Sequence, residues 1–122
     1  MSLQDEVIQE LLNWIDANIE QPLKIENVAI RSGYSKWHLQ RLFNKIVNKS
    51  LGNYIRDKKL EKTAHDLMIT DASIISISLK YGFDSQQSFS RTFSQKYHVP
   101  PAYWRKRYRS PGCNKNNNRE GL

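Results

Sequence analysis

The sequence predicts an all-α fold in which two helix-turn-helix subdomains are joined by one long bridging helix. Several segments repeat apolar residues every three or four positions, which is the spacing of one face of an α-helix. A pattern of helix, glycine turn and serine-capped helix occurs twice, about fifty residues apart. The 122 residues, 39% of them hydrophobic and 11% aromatic, suit one compact helical domain.

The first predicted helix runs from about Leu3 to Glu20, where apolar side chains recur every four residues until Gln21-Pro22 interrupts the pattern. A short helix over residues 25–32 follows. Gly33 then makes the turn, because a tight corner between helices favours a positive φ that glycine adopts without steric cost. Together these signals predict two helices and a sharp corner before the next element.

Ser35 is a suitable N-cap for a third helix, from Lys36 to about Asn48. The next segment, residues 51–69, predicts a long charged helix whose apolar residues change sides partway along. They form two clusters on opposite faces: Leu51, Tyr54 and Ile55 in the first half, and Leu60, Ala64, Leu67 and Met68 in the second. Such a helix packs against a different lobe with each half, as a bridge would.

The second half of the chain predicts a helix over residues 72–81, a turn at Gly82, a helix over residues 86–97 capped by Ser85, and a short last helix from Pro100-Pro101. The alternation of Ile and Ser over residues 73–79 also fits a strand, but the repeat favours a helix. The predicted organisation is one domain over residues 1–109, with helix-turn-helix units at about 25–48 and 73–97 and the bridge at about 51–69. A disordered tail, rich in Asn and Gly, is predicted over residues 110–122.

The repeat is visible residue by residue. The first helices match at an offset of 49: Ile25, Val28, Ala29 and Gly33 correspond to Ile74, Ile77, Ser78 and Gly82. The second helices match at an offset of 50: Ser35, Leu39, Arg41 and Phe43 correspond to Ser85, Phe89, Arg91 and Phe93. Beyond them, Tyr54-Ile55-Arg56 matches Tyr103-Trp104-Arg105. Each copy follows the helix-turn-helix plan.

The second helix of each copy has an apolar face, which we expect to be buried, and a polar face. The apolar residues are Leu39, Leu42, Phe43 and Ile46 in the first copy, and Phe89 and Phe93 in the second. The polar residues are Trp37, Gln40, Arg41 and Asn44 in the first copy, and Gln86, Gln87, Ser90, Arg91 and Ser94 in the second. Arg, Gln and Asn can pair bidentately with guanine or adenine edges in the major groove. Trp37 could cover a thymine methyl group or, alternatively, pack in the core.

The charge balance fits a polyanionic partner. The net charge of +7 and a pI of about 9.6 are compatible with nucleic acid and equally with an anionic membrane surface. Five basic residues are either phosphate contacts or solubilising charge: Lys36, Lys45, Arg56, Arg105 and Lys106. No apolar run approaches the roughly 20 residues that span a bilayer. Asp5-Glu6 stands where a signal peptide would be basic, so we expect an intracellular protein.

Residues for catalysis or metal binding are sparse. His38, His65 and His98 lie far apart in sequence, without the spacing of a zinc site. Cys113 is the only cysteine, which excludes a disulfide framework, and it has no evident relay partner. We therefore expect no metal, no cofactor and no enzymatic activity.

Two stretches carry a family resemblance: Gly33-Tyr34-Ser35-Lys36-Trp37-His38-Leu39-Gln40-Arg41-Leu42-Phe43 and Lys80-Tyr81-Gly82-Phe83-Asp84-Ser85-Gln86-Gln87-Ser88-Phe89-Ser90-Arg91-Thr92-Phe93. Over residues 3–106 the chain resembles the AraC/XylS family, and most of all its branch of short MarA, SoxS, Rob and RamA type regulators. The resemblance implies a monomer that binds an asymmetric promoter site on double-stranded DNA and activates stress and multidrug-resistance genes by recruiting RNA polymerase. It also implies a cytoplasmic, nucleoid-associated bacterial protein with no small-molecule effector.

The resemblance also implies which residues meet DNA. The base-reading positions of the branch correspond to Trp37, Gln40, Arg41, Gln86, Gln87 and Arg91. Further candidate contacts to bases or phosphates are Lys36, His38, Asn44, Lys45, Arg56, Ser85, Ser90, Ser94, Arg105 and Lys106. Ser88 and Ser90 stand where relatives often carry Thr, which affects specificity in the second half-site.

Two other classes of protein stay open at this stage. A nonspecific basic nucleoid protein would share the size and charge, but it would not need two matched reading faces. An enzyme related to a DNA alkyl-repair protein would need a reactive cysteine in a built environment, and Cys113 in a polar tail is a poor candidate.

Overall fold

The structure, a computed structural model, describes residues 2–109. These residues form seven helices: α1 (Leu3–Ala17), α2 (Ile25–Ser32), α3 (Lys36–Val47), α4 (Leu51–Ile69), α5 (Ile74–Lys80), α6 (Gln86–Tyr97) and α7 (Pro101–Tyr108). Within the described range the secondary structure is entirely helical. The all-α prediction is therefore confirmed, and the predicted tail over residues 110–122 lies outside the described residues. No helix within residues 2–109 is both long and apolar enough to cross a membrane.

The chain divides into two compact units, and the division falls between Lys59 and Leu60, inside α4. In the first unit α1, α2 and α3 pack on one another and on the first half of α4. The core consists of Ile8, Leu11, Ile15, Ile19, Val28, Ala29, Leu39, Leu42, Phe43, Leu51 and Ile55. The Tyr54 ring packs edge-on against Phe43, with 5.5 Å between ring centroids. This unit thus has its own hydrophobic core, as a helix-turn-helix subdomain requires.

The second unit has a core dominated by aromatic rings. Phe89 and Phe93 of α6 are fully buried, and the Trp104 ring of α7 lies 5.7 Å from that of Phe93. The indole Nε1 of Trp104 donates a hydrogen bond to the carbonyl oxygen of Ala64, at 3.1 Å. Since Ala64 belongs to α4 and Trp104 to α7, this bond and the ring packing join three helices of the unit.

The bridging helix changes its buried face where the chain divides. Leu51 and Ile55 are buried in the first half of α4, and Leu60, Ala64 and Leu67 are buried in the second half. The helix runs through residues 51–69 without interruption. The prediction of one long helix that serves both units is confirmed.

Three details of the sequence prediction were wrong. The first helix ends at Ala17 rather than Glu20, because the side-chain amide of Asn18 donates to the Trp14 carbonyl oxygen at 2.8 Å and closes the last turn. The fifth helix begins at Ile74 rather than Ala72, because Ser73 caps it and accepts from the Ser76 amide. Ile46, predicted to face the core, is 36% exposed. Its position in the last turn of α3 leaves its side chain only partly covered.

Glycine is required at one corner of each copy. Gly33 follows α2 with a φ of 82°, and Gly82 has a φ of 85°. This left-handed region is costly for residues that carry a Cβ. The predicted glycine turns are therefore confirmed by the backbone.

We expect Gly33→Ala to lower the free energy of unfolding by about 1–2 kcal/mol, the cost of a left-handed conformation for an L-residue. Space is not the cause, since a Cβ at Gly33 would meet nothing within 4 Å. Gly52→Ala is the matched control: it is equally open and lies inside α4, where alanine is favoured over glycine. Urea denaturation should show a loss for the first variant and no loss for the second. Equal effects of the two substitutions would contradict the assignment.

Candidate nucleic-acid interface

The first candidate reading helix is α3. Its start is fixed by Ser35, whose Oγ accepts a hydrogen bond from the His38 amide at 3.1 Å. Leu39, Leu42 and Phe43 anchor one face in the core. The opposite face is exposed and carries the four predicted reading residues, Trp37, Gln40, Arg41 and Asn44. The side chains of this face are therefore available to a ligand.

The sequence left open whether Trp37 packs in the core or faces solvent. Its side chain is 66% exposed, so it is not part of the core. The guanidinium carbon of Arg41 lies 4.5 Å from the centroid of the Trp37 ring, one helical turn further along α3. A cation at this distance from an indole ring is within the range of a cation–π interaction. The two predicted base-reading side chains are thus in contact with one another.

An open groove runs beside this face. All four reading residues of α3 line it, together with Ile25 of α2 and Ser50, Leu51 and Gly52 at the start of α4. Ser50 and Gly52 were not predicted as interface residues. Their position depends on how the start of α4 packs beside α3, which has no signature in the local sequence.

A second open groove borders the other side of Arg41. It is lined by His38, Arg41, Leu42 and Lys45 of α3 and by Gln4 of α1. The His38 ring packs edge-on against Tyr34, with centroids 4.8 Å apart. The groove thus brings together three predicted contact residues, His38, Arg41 and Lys45. Gln4 was not predicted, because α1 carries no motif of its own.

The second candidate reading helix is α6, in the other unit. Ser85 caps it by accepting from the Ser88 amide at 3.0 Å, and Phe89 and Phe93 anchor its inner face. Gln86, Gln87 and Arg91 are exposed, whereas Ser90 and Ser94 are half-buried. The hydroxyl of Ser94 donates to the Val99 carbonyl oxygen at 3.3 Å, in the turn after the helix. The exposed candidate reading residues of this unit are therefore the two glutamines and the arginine.

Several candidate phosphate contacts are exposed. Lys45, Arg56 and Lys106 are all open to solvent. Lys36 is also exposed, and its ammonium group lies 3.1 Å from the Glu26 carboxylate. A backbone hydrogen bond at Glu26, together with Lys36, lowers the pKa of that carboxyl group. An exposed ion pair of this kind contributes little to stability.

Arg105 has a different environment from the other candidates. Its Nε donates to the Leu67 carbonyl oxygen at 3.0 Å, and one terminal nitrogen donates to the Thr70 carbonyl oxygen at 3.1 Å. The side chain is half-buried, and this burial lowers the pKa of its guanidinium group. Carbonyl groups at the end of α4 lack helical partners, and Arg105 supplies them. The guanidinium of Arg105 is thus bound by the protein's own backbone, and its contact with DNA stays a prediction.

Within residues 2–109, no group of three or more His, Cys, Asp or Glu side chains is placed to hold a metal ion. Cys113 lies outside the described residues. The described surface presents two exposed polar helix faces, one on α3 and one on α6.

Known proteins share these features. The helix-turn-helix domain family matches residues 28–107. The Multiple antibiotic resistance protein MarA of Salmonella typhimurium is 47% identical over 98 residues, which are 80% of this chain and 77% of MarA. The crystal structure of a transcriptional regulator of the AraC-type DNA-binding domain-containing proteins from Chromobacterium violaceum superposes with a TM-score of 0.80 at 30% identity, covering 88% of this chain and 96% of that one. The chain belongs to the AraC/XylS family.

Within the AraC/XylS family the chain falls in the branch that contains MarA and Rob. The Transcriptional regulator Rob of Salmonella typhimurium is 44% identical over 100 residues, or 82% of this chain and 35% of Rob. This chain therefore spans about a third of the length of that relative. The predicted resemblance and the predicted two-subdomain fold are confirmed. Members of this family are DNA-binding transcription regulators and not enzymes, so the enzymatic alternative is set aside.

We expect Arg105→Ala to lower the free energy of unfolding by about 1–3 kcal/mol, because it leaves carbonyl groups at the end of α4 without their charged partner. Lys106→Ala is the matched control, since the neighbouring lysine is exposed and its loss also removes one positive charge. Chemical denaturation of the two variants separates the roles. If Arg105→Ala is no less stable than Lys106→Ala, the capping role of Arg105 is wrong.

Proposed function

We propose that the chain is a sequence-specific transcription activator that binds an asymmetric promoter site as a monomer, with α3 and α6 each in the major groove. The observation that carries this proposal is the matched pair of serine-capped helices, each anchored by a buried apolar face and each exposing an arginine beside glutamine. We assign the DNA-binding domain to residues 1–109, with the reading units at about 25–48 and 73–97.

The exposed residues have the chemistry that base reading requires. Arg41 and Arg91 can each donate two hydrogen bonds to the O6 and N7 of guanine. The amides of Gln40, Gln86 and Gln87, with that of Asn44, can pair with the N6 and N7 of adenine, and the Trp37 ring can contact a thymine methyl group. Because these side chains occupy two separate helices, each helix would read its own half-site.

Basic and hydroxyl side chains around the reading faces would hold the phosphate backbone and set the register of the protein on DNA. We assign this role to Lys36, His38, Lys45, Arg56, Ser85 and Lys106. The Lys36–Glu26 ion pair does not oppose it, since an exposed pair is weak and a phosphate can replace the carboxylate. The net charge of +7 supports binding to a polyanion.

The two reading faces are unequal, which supports binding as a single chain. Trp37 and Gln40 of the first helix correspond to Gln87 and Ser90 of the second. A site read by two different faces in one chain has no dyad symmetry. The half-sites would therefore differ in sequence, and one monomer would occupy both.

The regulatory role rests on the relatives. MarA carries multiple antibiotic resistance in its name, and Rob is named a transcriptional regulator. We infer that this chain activates stress and multidrug-resistance genes by recruiting RNA polymerase to their promoters. It would act in the bacterial cytoplasm, in association with the nucleoid.

Selection of binding sites from random double-stranded DNA tests the proposal directly. We expect the selected molecules to share one asymmetric sequence made of two different half-sites about one helical turn apart. Selected pools with no common sequence would favour the nonspecific nucleoid protein, whose affinity hardly depends on sequence.

We expect Arg41→Ala and Arg91→Ala each to weaken binding to the selected site by about 1–3 kcal/mol and to relax specificity in one half-site only. The controls are Lys36→Ala and Arg56→Ala, which should weaken binding to all sequences and reduce the slope of log affinity against log salt. Titrations on the selected site and on scrambled DNA measure both effects. Should Arg41→Ala weaken both DNAs equally, its role as a base reader is wrong.

We expect one chain to occupy one site, because both reading helices belong to the same chain. Native mass measurement of the complex at increasing protein concentration gives the stoichiometry. Two chains on a palindromic selected site would contradict binding as a monomer, although each chain would still be a DNA-binding protein.

A further inference from the structure

The contact between Trp37 and Arg41 joins two side chains that both point into solvent. Trp37 is 66% exposed, and Arg41 is exposed as well. The guanidinium carbon of Arg41 nevertheless lies over the indole ring, 4.5 Å from its centroid. Residues four apart on a helix lie on the same face, so the backbone of α3 holds the pair together. The contact lies within α3 and needs no residue from another element.

Such a stack restricts an otherwise mobile side chain. A free arginine samples many rotamers, and a bidentate contact with guanine requires one of them. The face of tryptophan attracts a cation more strongly than that of phenylalanine or tyrosine. A planar guanidinium that rests on a ring face would keep the N–H groups at its edge available to guanine. Restriction before binding reduces the entropy that is lost on binding.

We infer that Trp37 is a positioning residue for Arg41, and that it holds the guanidinium in the orientation that reads guanine in the first half-site. The inference rests on the proposed function. It assigns to Trp37 a role in the base contact made by another residue, in addition to any contact of its own ring with thymine.

The second unit provides an internal comparison. Arg91 corresponds to Arg41, and Gln87 stands four residues before it, where α3 has Trp37. Gln87 offers an amide in place of a ring face. The positioning of the arginine by an aromatic ring is thus a property of the first reading helix and not of the repeated unit as a whole.

The first test uses the full chain without DNA. In the wild type, the ring current of Trp37 should shift the δ protons of Arg41 upfield in the NMR spectrum, and Trp37→Leu should remove that shift. Trp37→Leu keeps an apolar side chain at an exposed position, so the remaining resonances should confirm an intact fold. Arg41 δ protons at the same position in the wild type and in Trp37→Leu would overturn the inference.

The second test measures base discrimination. Affinities are measured for sites substituted at each base pair in turn. The base pair that Arg41 reads is the one at which Arg41→Ala no longer distinguishes the preferred base from the others. Trp37→Leu should reduce discrimination at that same base pair about two- to fivefold, the size of an exposed cation–π contact, and Trp37→Phe should reduce it less. In the Arg41→Ala background, Trp37→Leu should produce no further change there.

Arg31→Ala is the matched control, because the guanidinium carbon of Arg31 lies 5.6 Å from the centroid of another tryptophan ring, that of Trp14. Arg31 has no assigned role in DNA binding. It should leave discrimination unchanged at every base pair. If Trp37→Leu changes discrimination only at a different base pair, Trp37 is a direct reader and the positioning role fails. If the wild-type chain selects no common sequence, the proposed function is refuted instead. The NMR test does not depend on that function.

Discussion

Burial of one face of each reading helix is the constraint on which the rest of the interface depends. Phe43 in α3 and Phe89 and Phe93 in α6 are fully buried, and each such ring contributes about 1.5–3 kcal/mol when removed from water. Once these rings are in place, the 100° step of the helix determines which residues face outward. The residues proposed to read bases are therefore exposed as a consequence of core packing, and a change in the core would rotate the face that carries them.

Capping determines where each reading helix begins. Ser35 and Ser85 accept hydrogen bonds from His38 and Ser88, so both helices start one residue after a serine. The left-handed glycine before each serine brings the chain round the corner without strain. A helix that started one residue later would still bury its rings, but it would lose one residue from its exposed first turn. The serine cap thus determines where the exposed face begins, and the buried core determines in which direction that face points.

The features that the sequence predicted well were those with a strong local signal. Serine caps, glycine corners and apolar spacing each depend on residues within one helical turn, and they located α2, α4 and α6 correctly. The errors have a different physical origin. The end of α1 depends on a side-chain hydrogen bond from Asn18, and the exposure of Ile46 depends on what covers the last turn of α3. The hydrogen bonds of Arg105 were not predicted either, because their carbonyl acceptors lie some 35 residues away in sequence. Gln4, Ser50 and Gly52 reach the grooves through tertiary packing alone, which no local pattern encodes.

The repeat separates the positions that build the scaffold from those that differ between its copies. Core positions match in chemistry, since Leu39 and Phe43 correspond to Phe89 and Phe93 and all four are buried. Exposed positions do not match, since Trp37 corresponds to Gln87. An exposed side chain contributes little to folding, so it can be exchanged at small cost in stability. The same helix-turn-helix unit can therefore carry two different reading faces, and a chain built from two such copies is suited to an asymmetric ligand because nothing in its folding requires the copies to read alike.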